Sequence, residues 1–151
     1  MSEGGFRYTR QVKFYETDLA GVVHFSNYFR YMEEAEHALW RAAGLTVDRA
    51  GADLGWPRVS VKFDYRSPLF FEDEFVIVVR IDSVTTRTIQ YGFSITRQGK
   101  PIGSGSMITA CATRQPDSMR AVEIPADIVP KLRAAAGEAA PPAGEVPVRN
   151  R

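Results

Sequence analysis

The sequence predicts an α+β domain in which one long amphipathic helix lies against an antiparallel sheet. Three observations predict it. Apolar residues recur at steps of three and four between Tyr28 and Ala42, the period then switches toward two in later segments, and short links join those segments. Short links favour antiparallel neighbours, because a parallel pair needs a crossover of about a dozen residues or more. A helix with one apolar stripe must find a sheet face to cover.

The elements follow in order. Tyr8, Val12, Phe14 and Tyr15 stand among polar neighbours and predict a first strand over 8–15. Thr17-Asp18-Leu19-Ala20-Gly21 reads as a compact turn, followed by Val22-Val23-His24-Phe25. Ser26 and Asn27 are good N-cap types, so the helix starts there. Tyr28, Met32, Ala35, Leu39 and Ala42 form its apolar stripe, and Arg30, Glu34, His37 and Arg41 its polar one. Gly44 closes it as a C-cap glycine. At about 17 residues the helix is roughly 25 Å long.

Val59, Val61, Phe63 and Tyr65 then alternate with Ser60, Lys62, Asp64 and Arg66, the pattern of a strand with one buried face. Phe75 to Ile81 is nearly continuous and β-branched, which predicts a strand buried on both faces. Ile89, Tyr91, Phe93 and Ile95 alternate again, Gln98-Gly99-Lys100-Pro101 turns, and Ile102 to Thr113 makes a last long strand. Gly103 and Gly105 within it predict close approach of a backbone or a ligand. Ile124 to Ala136 predicts a short helix beginning near Pro125. The domain is expected to span 1–136, with 137–151, rich in Ala, Pro and Gly, as a disordered tail.

Composition narrows the function. Nineteen basic against eighteen acidic residues leave a formal charge of +1, no electrostatic case for nucleic acid or an anionic membrane. The densest apolar run, Phe75 to Val79, is far short of the roughly 18 residues of a membrane span. The single Cys111 permits no internal disulfide, and Met1 to Gly5 lacks the basic start and apolar run of a secretion signal. A cytoplasmic setting is expected.

Cys111 has no nearby His or Asn pattern and reads as a core thiol. His24 and His37 lack the paired cysteines of a zinc site, so no metal is expected. Asp18 is different. It precedes a helix start, where unpaired N–H groups and positive partial charge can stabilise an oxyanion while a carboxylate works on the carbonyl. Spacing alone favours an Asx bond that closes the turn.

The run from Val12 to Tyr28, with Asp18, Gly21, Val22-Val23 and Asn27-Tyr28, resembles the signature of the 4-hydroxybenzoyl-CoA thioesterase family of hotdog proteins. Tyr65-Arg66-Ser67-Pro68-Leu69 and Asp73 continue the resemblance, which spans about residues 6–115. It implies a sheet wrapped around the helix, subunits joined edge to edge as a homodimer or homotetramer, and an acyl-CoA substrate with no metal or redox cofactor. Asp18 matches the catalytic carboxylate, nucleophile or general base, and Phe25 the oxyanion N–H donor. Glu33 matches an acid that contacts the substrate ring, and Asn27 and Tyr28 fall among the substrate-binding positions. Arg87, then Arg97 and Lys100, are the candidates for the CoA phosphates. His24-Phe25 stands where many bacterial relatives have Tyr-His, so His24 fits either catalytic assistance or a structural hydrogen bond. A non-catalytic acyl-CoA-binding hotdog and a hotdog dehydratase or hydratase are the competing expectations.

Overall fold

The computed structural model describes residues 4–47 and 53–137. The elements are β1 (Phe6–Gln11), a 3-10 turn (Phe14–Glu16), α1 (Asn27–Ala42), β2 (Leu54–Gly55), β3 (Arg58–Tyr65), β4 (Glu74–Val84), β5 (Thr88–Arg97), β6 (Lys100–Ala110), β7 (Ala112–Arg114), β8 (Met119–Ala121) and α2 (Ile128–Ala135). Five strands form one antiparallel sheet in the order β1-β4-β5-β6-β3, and β2-β7-β8 form a small second sheet. The expected α+β architecture is present, with α1 packed on the large sheet.

Helix α1 begins at Asn27, as its cap residues predict, and buries Tyr28, Tyr31, Met32, Ala35, Glu36, Leu39 and Trp40. Ala42 is exposed, so the stripe rotates at its end to bury Trp40 instead. Tyr28 stacks on Phe63 with centroids 4.9 Å apart, and Trp40 meets Trp56 edge-on at 5.1 Å. Trp40 also donates its indole N–H to the Tyr91 hydroxyl at 3.0 Å. Burying one large apolar side chain contributes about 1.5–3 kcal/mol. Leu39→Ala, at a fully buried position facing the sheet, is expected to cost about 2–5 kcal/mol.

Gly103 and Gly105 pack as their sequence setting predicts. A Cβ on Gly103 would lie 2.6 Å from the Asp64 carbonyl oxygen, and one on Gly105 would lie 2.7 Å from Met32 Sδ. Both glycines let β6 close against β3, and Gly105 also lets α1 settle onto the sheet.

Four expectations need correction. The first strand ends at Gln11 and the chain turns, because Glu16 reaches back to accept the Lys13 N–H at 2.8 Å. Phe14 and Tyr15 are therefore exposed side chains, not strand core. β4 buries Phe75, Ile77, Val79 and Ile81 on one face and only half-covers the other, since α1 lies on one side of the sheet. β3 buries Phe63 alone of its apolar set; Val59, Val61 and Tyr65 remain exposed on an edge strand that, among the described residues, pairs only with β6. The last long strand breaks at Cys111, whose N–H bonds to the Arg87 carbonyl, and β7 passes into the second sheet.

Helix α2 starts at Ile128, later than Pro125 suggests. The tail expected over 137–151 lies outside the described residues beyond Gly137. Cys111 is a buried thiol, as its setting predicts. Among the described residues no helix is long and apolar enough to cross a membrane.

Candidate active site

Residues 17–23 form a miniature hairpin. Thr17 and Val23 bridge antiparallel, the Asp18 N–H bonds to the Val22 carbonyl at 2.8 Å, and the Gly21 N–H bonds to the Asp18 carbonyl at 2.9 Å. Gly21 takes φ 83°, a left-handed conformation that suits glycine at the turn's end. The Asp18 side chain makes the Asx bond: Oδ1 accepts the Ala20 N–H at 2.8 Å. Oδ2 has no hydrogen-bond partner among the described residues. One oxygen thus fixes the carboxylate and the other faces outward.

The hairpin delivers the chain to the start of α1. His24 is partly exposed and stacked on Phe25, with ring centroids 4.5 Å apart. The Ser26 N–H donates to His24 Nδ1 at 3.2 Å, with the Ser26 hydroxyl at 2.8 Å from the same atom. A backbone N–H can only donate, so Nδ1 accepts and the neutral ring carries its proton on Nε2. The Phe25 N–H has no hydrogen-bond partner among the described residues, while its carbonyl accepts the Tyr65 hydroxyl at 2.9 Å.

An open cavity of about 900 Å³ is lined by Asp18, His24 and Phe25 together with Phe14, Tyr15, Thr17, Leu19, Ala20 and Gly21. Phe14 is 72% exposed, Tyr15 80% and Phe25 63%, an unusual density of bare rings around one carboxylate. Phe71 extends this collar edge-on to Phe14 at 5.7 Å.

Beneath the hairpin sits a buried cluster that no short-range pattern announces. Arg10 of β1 holds Glu16 through two contacts of 2.6 Å and reaches Glu34 of α1 at 2.6 Å. The Tyr31 hydroxyl donates to Glu16 Oε1 at 2.9 Å, and Tyr8 to Glu34 at 3.1 Å. Burial works against the Glu16 charge, yet the bonds from Arg10, the Lys13 N–H and Tyr31 outweigh it and hold the carboxyl below its usual range. Burial and the adjacent Glu16 charge push the Tyr31 hydroxyl far up.

The other site candidates scatter. Asn27 donates its side-chain amide to the Glu16 carbonyl at 2.9 Å, so it braces the hairpin from the helix and is absent from the cavity lining. Tyr28 needs correction: it is 3% exposed and packed against Tyr31, Phe63 and Tyr65, because the first turn of α1 faces the sheet. Burial pushes its hydroxyl up to about 12. Glu33 is half-exposed, does not line the cavity, and pairs with Arg58 at 3.1 Å. Arg97 pairs with Asp73 at 3.2 Å beside a separate hollow. Arg87 and Lys100 are exposed and make no ion pair among the described residues. The cavity thus gathers Asp18, His24 and Phe25, and leaves Glu33, Asn27, Tyr28, Arg87, Arg97 and Lys100 outside its lining.

A single long helix covered by an antiparallel sheet is the arrangement of the hotdog fold. Residues 12–132 match the family model described as the Thioesterase-like superfamily, and the chain belongs to that superfamily. Across 95 residues it is 35% identical to an Aquifex aeolicus protein named "Putative esterase", covering 62% of this chain and 73% of that protein. It is 28% identical over 104 residues to the 1,4-dihydroxy-2-naphthoyl-CoA hydrolase of Prochlorococcus marinus, covering 63% and 67%. The solved structure of a gentisyl-coenzyme A thioesterase is 27% identical, with a TM-score of 0.73 over 81% of this chain and 98% of that one. The fold of the chain is the hotdog fold of this superfamily.

Proposed function

We propose that the cavity beside Asp18 binds an acyl-CoA and that the Asp18 carboxylate drives its hydrolysis to the free acid and CoA. One observation carries this reading: the unpartnered Oδ2 of a fixed carboxylate shares a cavity with the unpaired Phe25 N–H and the protonated Nε2 of His24. Asp18 acts on the thioester carbon directly or through a water whose proton it takes. The Phe25 N–H, at the positive end of α1, stabilises the oxygen as it gains charge, and the His24 Nε2–H stands as a second donor. The C–S bond then breaks and CoA leaves as its thiolate; on the direct route water next opens the acyl–Asp18 anhydride, which releases the acid and restores the carboxylate. Carboxylate, water and N–H donors suffice for this sequence, so no metal or redox cofactor is invoked.

The flat rings of Phe14, Tyr15 and Phe25 suit an aryl acyl group, as do relatives named for gentisyl-CoA and dihydroxynaphthoyl-CoA. Arg87 and Lys100, unengaged by carboxylates, are the proposed partners of the CoA phosphates, ahead of the paired Arg97. The working form is a homo-oligomer, at least a dimer. The β3 edge carries the exposed Val59, Val61 and Tyr65, and a second copy added there would satisfy its open backbone groups. A reducing, cytoplasmic setting suits both the buried thiol of Cys111 and a CoA thioester.

The test is thiol release from a panel of aryl and aliphatic acyl-CoAs by wild type and by Asp18→Asn. Asp18→Asn is expected to lose at least about 10²–10⁴ in kcat while still folding and binding an analogue. Wild-type turnover by folded Asp18→Asn removes the carboxylate from the mechanism. Absence of thiol release by wild type leaves the binding-protein and hydratase readings. A single turnover in oxygen-18 water tests the nucleophilic role: an unlabelled first acid with the label on Asp18 establishes an anhydride opened at its Asp18 carbonyl, whereas label in the acid fits a general base or an anhydride opened at its acyl carbon.

A further inference from the structure

Glu16 stands two residues before Asp18 and is only 6% exposed. Its carboxylate ties three parts of the fold together: Arg10 on β1, the Lys13 N–H at the head of the turn, and Tyr31 on α1. Its main-chain carbonyl does a second job. It accepts the His24 N–H at 2.8 Å and the Asn27 side-chain amide at 2.9 Å. The carbonyl therefore closes the hairpin at its base, joining the residue before Thr17 to the one after Val23, and bolts that base to the first residue of α1.

We propose that Glu16 is the positioning residue of the site, setting the Asp18 carboxylate in register with the Phe25 N–H through its carbonyl, and that Asn27 serves this brace rather than the substrate. The inference rests on the role proposed for Asp18. The acid and the oxyanion donor lie on opposite arms of one short loop, and of the two bonds that bridge its arms among the described residues, the one at the base runs through Glu16 and the other from the Asp18 N–H to the Val22 carbonyl. A carboxylate held by four donors cannot rotate without breaking several charge-assisted bonds together, so the peptide that carries the carbonyl is held as well. Misplacing reacting groups by about 1 Å can cost on the order of 10²-fold in rate.

The variants Glu16→Gln and Asn27→Ala test this, with Asp18→Asn measured beside them and Glu36→Gln as a control. Glu36 is also a buried carboxylate of this helix region, but it contacts Arg58 rather than the hairpin. Glu16→Gln is expected to lower kcat about 10–100-fold, while affinity for a non-hydrolysable aryl thioether of CoA changes less than about threefold. Asn27→Ala is expected to lower kcat about 3–10-fold with KM unchanged, and Glu36→Gln to stay within about twofold of wild type. Asn27→Ala also decides the matter should Glu16→Gln fail to fold. A raised KM with intact kcat in Asn27→Ala assigns Asn27 to the substrate and overturns the proposal. Wild-type kcat in both Glu16→Gln and Asn27→Ala overturns it while leaving Asp18 in place if Asp18→Asn is dead. Full turnover by Asp18→Asn removes the underlying reading instead.

Discussion

Arg10 and Arg58 each sit between two glutamates, and helix α1 supplies glutamates to both. Arg10 joins Glu16 to Glu34; Arg58 joins Glu36 to Glu33. In each cluster one glutamate is buried and its companion is more exposed. The buried members nevertheless titrate in opposite directions. Glu16 is held below the usual carboxylate range, whereas burial pushes Glu36 above it despite the charge and hydrogen bonds of Arg58. The difference lies first in depth of burial. Glu16 collects Arg10 twice, a backbone N–H and a tyrosine hydroxyl, while Glu36 is fully buried, has Arg58 at 2.7 and 3.2 Å and the Tyr91 hydroxyl, lacks a backbone donor among the described residues, and has Glu33 nearby opposing its charge. A buried charge is kept only when the bonds that its ionised form accepts outweigh the cost of its burial, and for Glu36 an arginine and a tyrosine do not.

Removing the arginines is the strongest way to break this comparison. Arg10→Met leaves Glu16 buried with its main partner gone and is expected to destabilise the protein by about 3–5 kcal/mol, read by urea denaturation at pH 7. Arg58→Met is expected to cost less, about 1–3 kcal/mol, because Glu36 already leans toward its neutral form and can take a proton. Equal losses, or a larger one at Arg58, would refute this account of how the two charges are kept.

The pH dependence sharpens the same contrast. Glu16 binds its proton less readily in the folded state, so it adds stability above the ordinary glutamate value near 4.5, and that stability is lost as pH falls through its depressed folded value. Glu36 runs the other way. Its folded form holds the proton more tightly, so its contribution is full below about 4.5 and declines as pH rises toward its elevated folded value. Glu16→Gln should therefore flatten the acid limb of a stability-against-pH curve, and Glu36→Gln should flatten the decline above it. Urea midpoints collected from pH 3 to 8 check both signs, and identical curves for the two variants would refute the assignment.

The two regions were unequally legible in the sequence. The helix declares itself because Tyr28, Met32, Ala35 and Leu39 repeat at a period set by backbone geometry, and all four are buried. β3 shows the limit of that logic. Alternation places Val59, Val61, Phe63 and Tyr65 on one face, but it cannot say how much of that face the same chain covers, and only Phe63 is covered. Asp18, His24 and Phe25 are close in sequence and line one cavity, so a local motif could point to them. The cluster around Glu16 joins residues from β1, the turn and α1, and short-range spacing carries no trace of it. Its one visible signal is Arg10, an arginine at a half-buried position of an alternating strand.

The smallest expected effect concerns Glu33, the exposed companion in the Arg58 cluster. Its carboxylate is 50% exposed and shares Arg58 with Glu36, so the pair is screened and worth about 0–1 kcal/mol. Glu33→Gln should accordingly leave stability almost unchanged, which makes it a clean probe of selectivity. The resemblance puts an acid at this position against the far end of an aromatic acyl group, where it would accept a hydrogen bond from a ring hydroxyl and disfavour a purely aliphatic chain. Arg58 competes for that role, since it already occupies one carboxylate oxygen at 3.1 Å. The other oxygen remains for a substrate. Glu33→Gln is therefore expected to lower the ratio of kcat/KM for hydroxylated aryl over aliphatic acyl-CoAs by a few-fold, with kcat for the better substrate within about twofold of wild type. An unchanged ratio across the panel would leave Glu33 with Arg58 as its sole partner and the aryl preference resting on the rings of Phe14, Tyr15 and Phe25 alone.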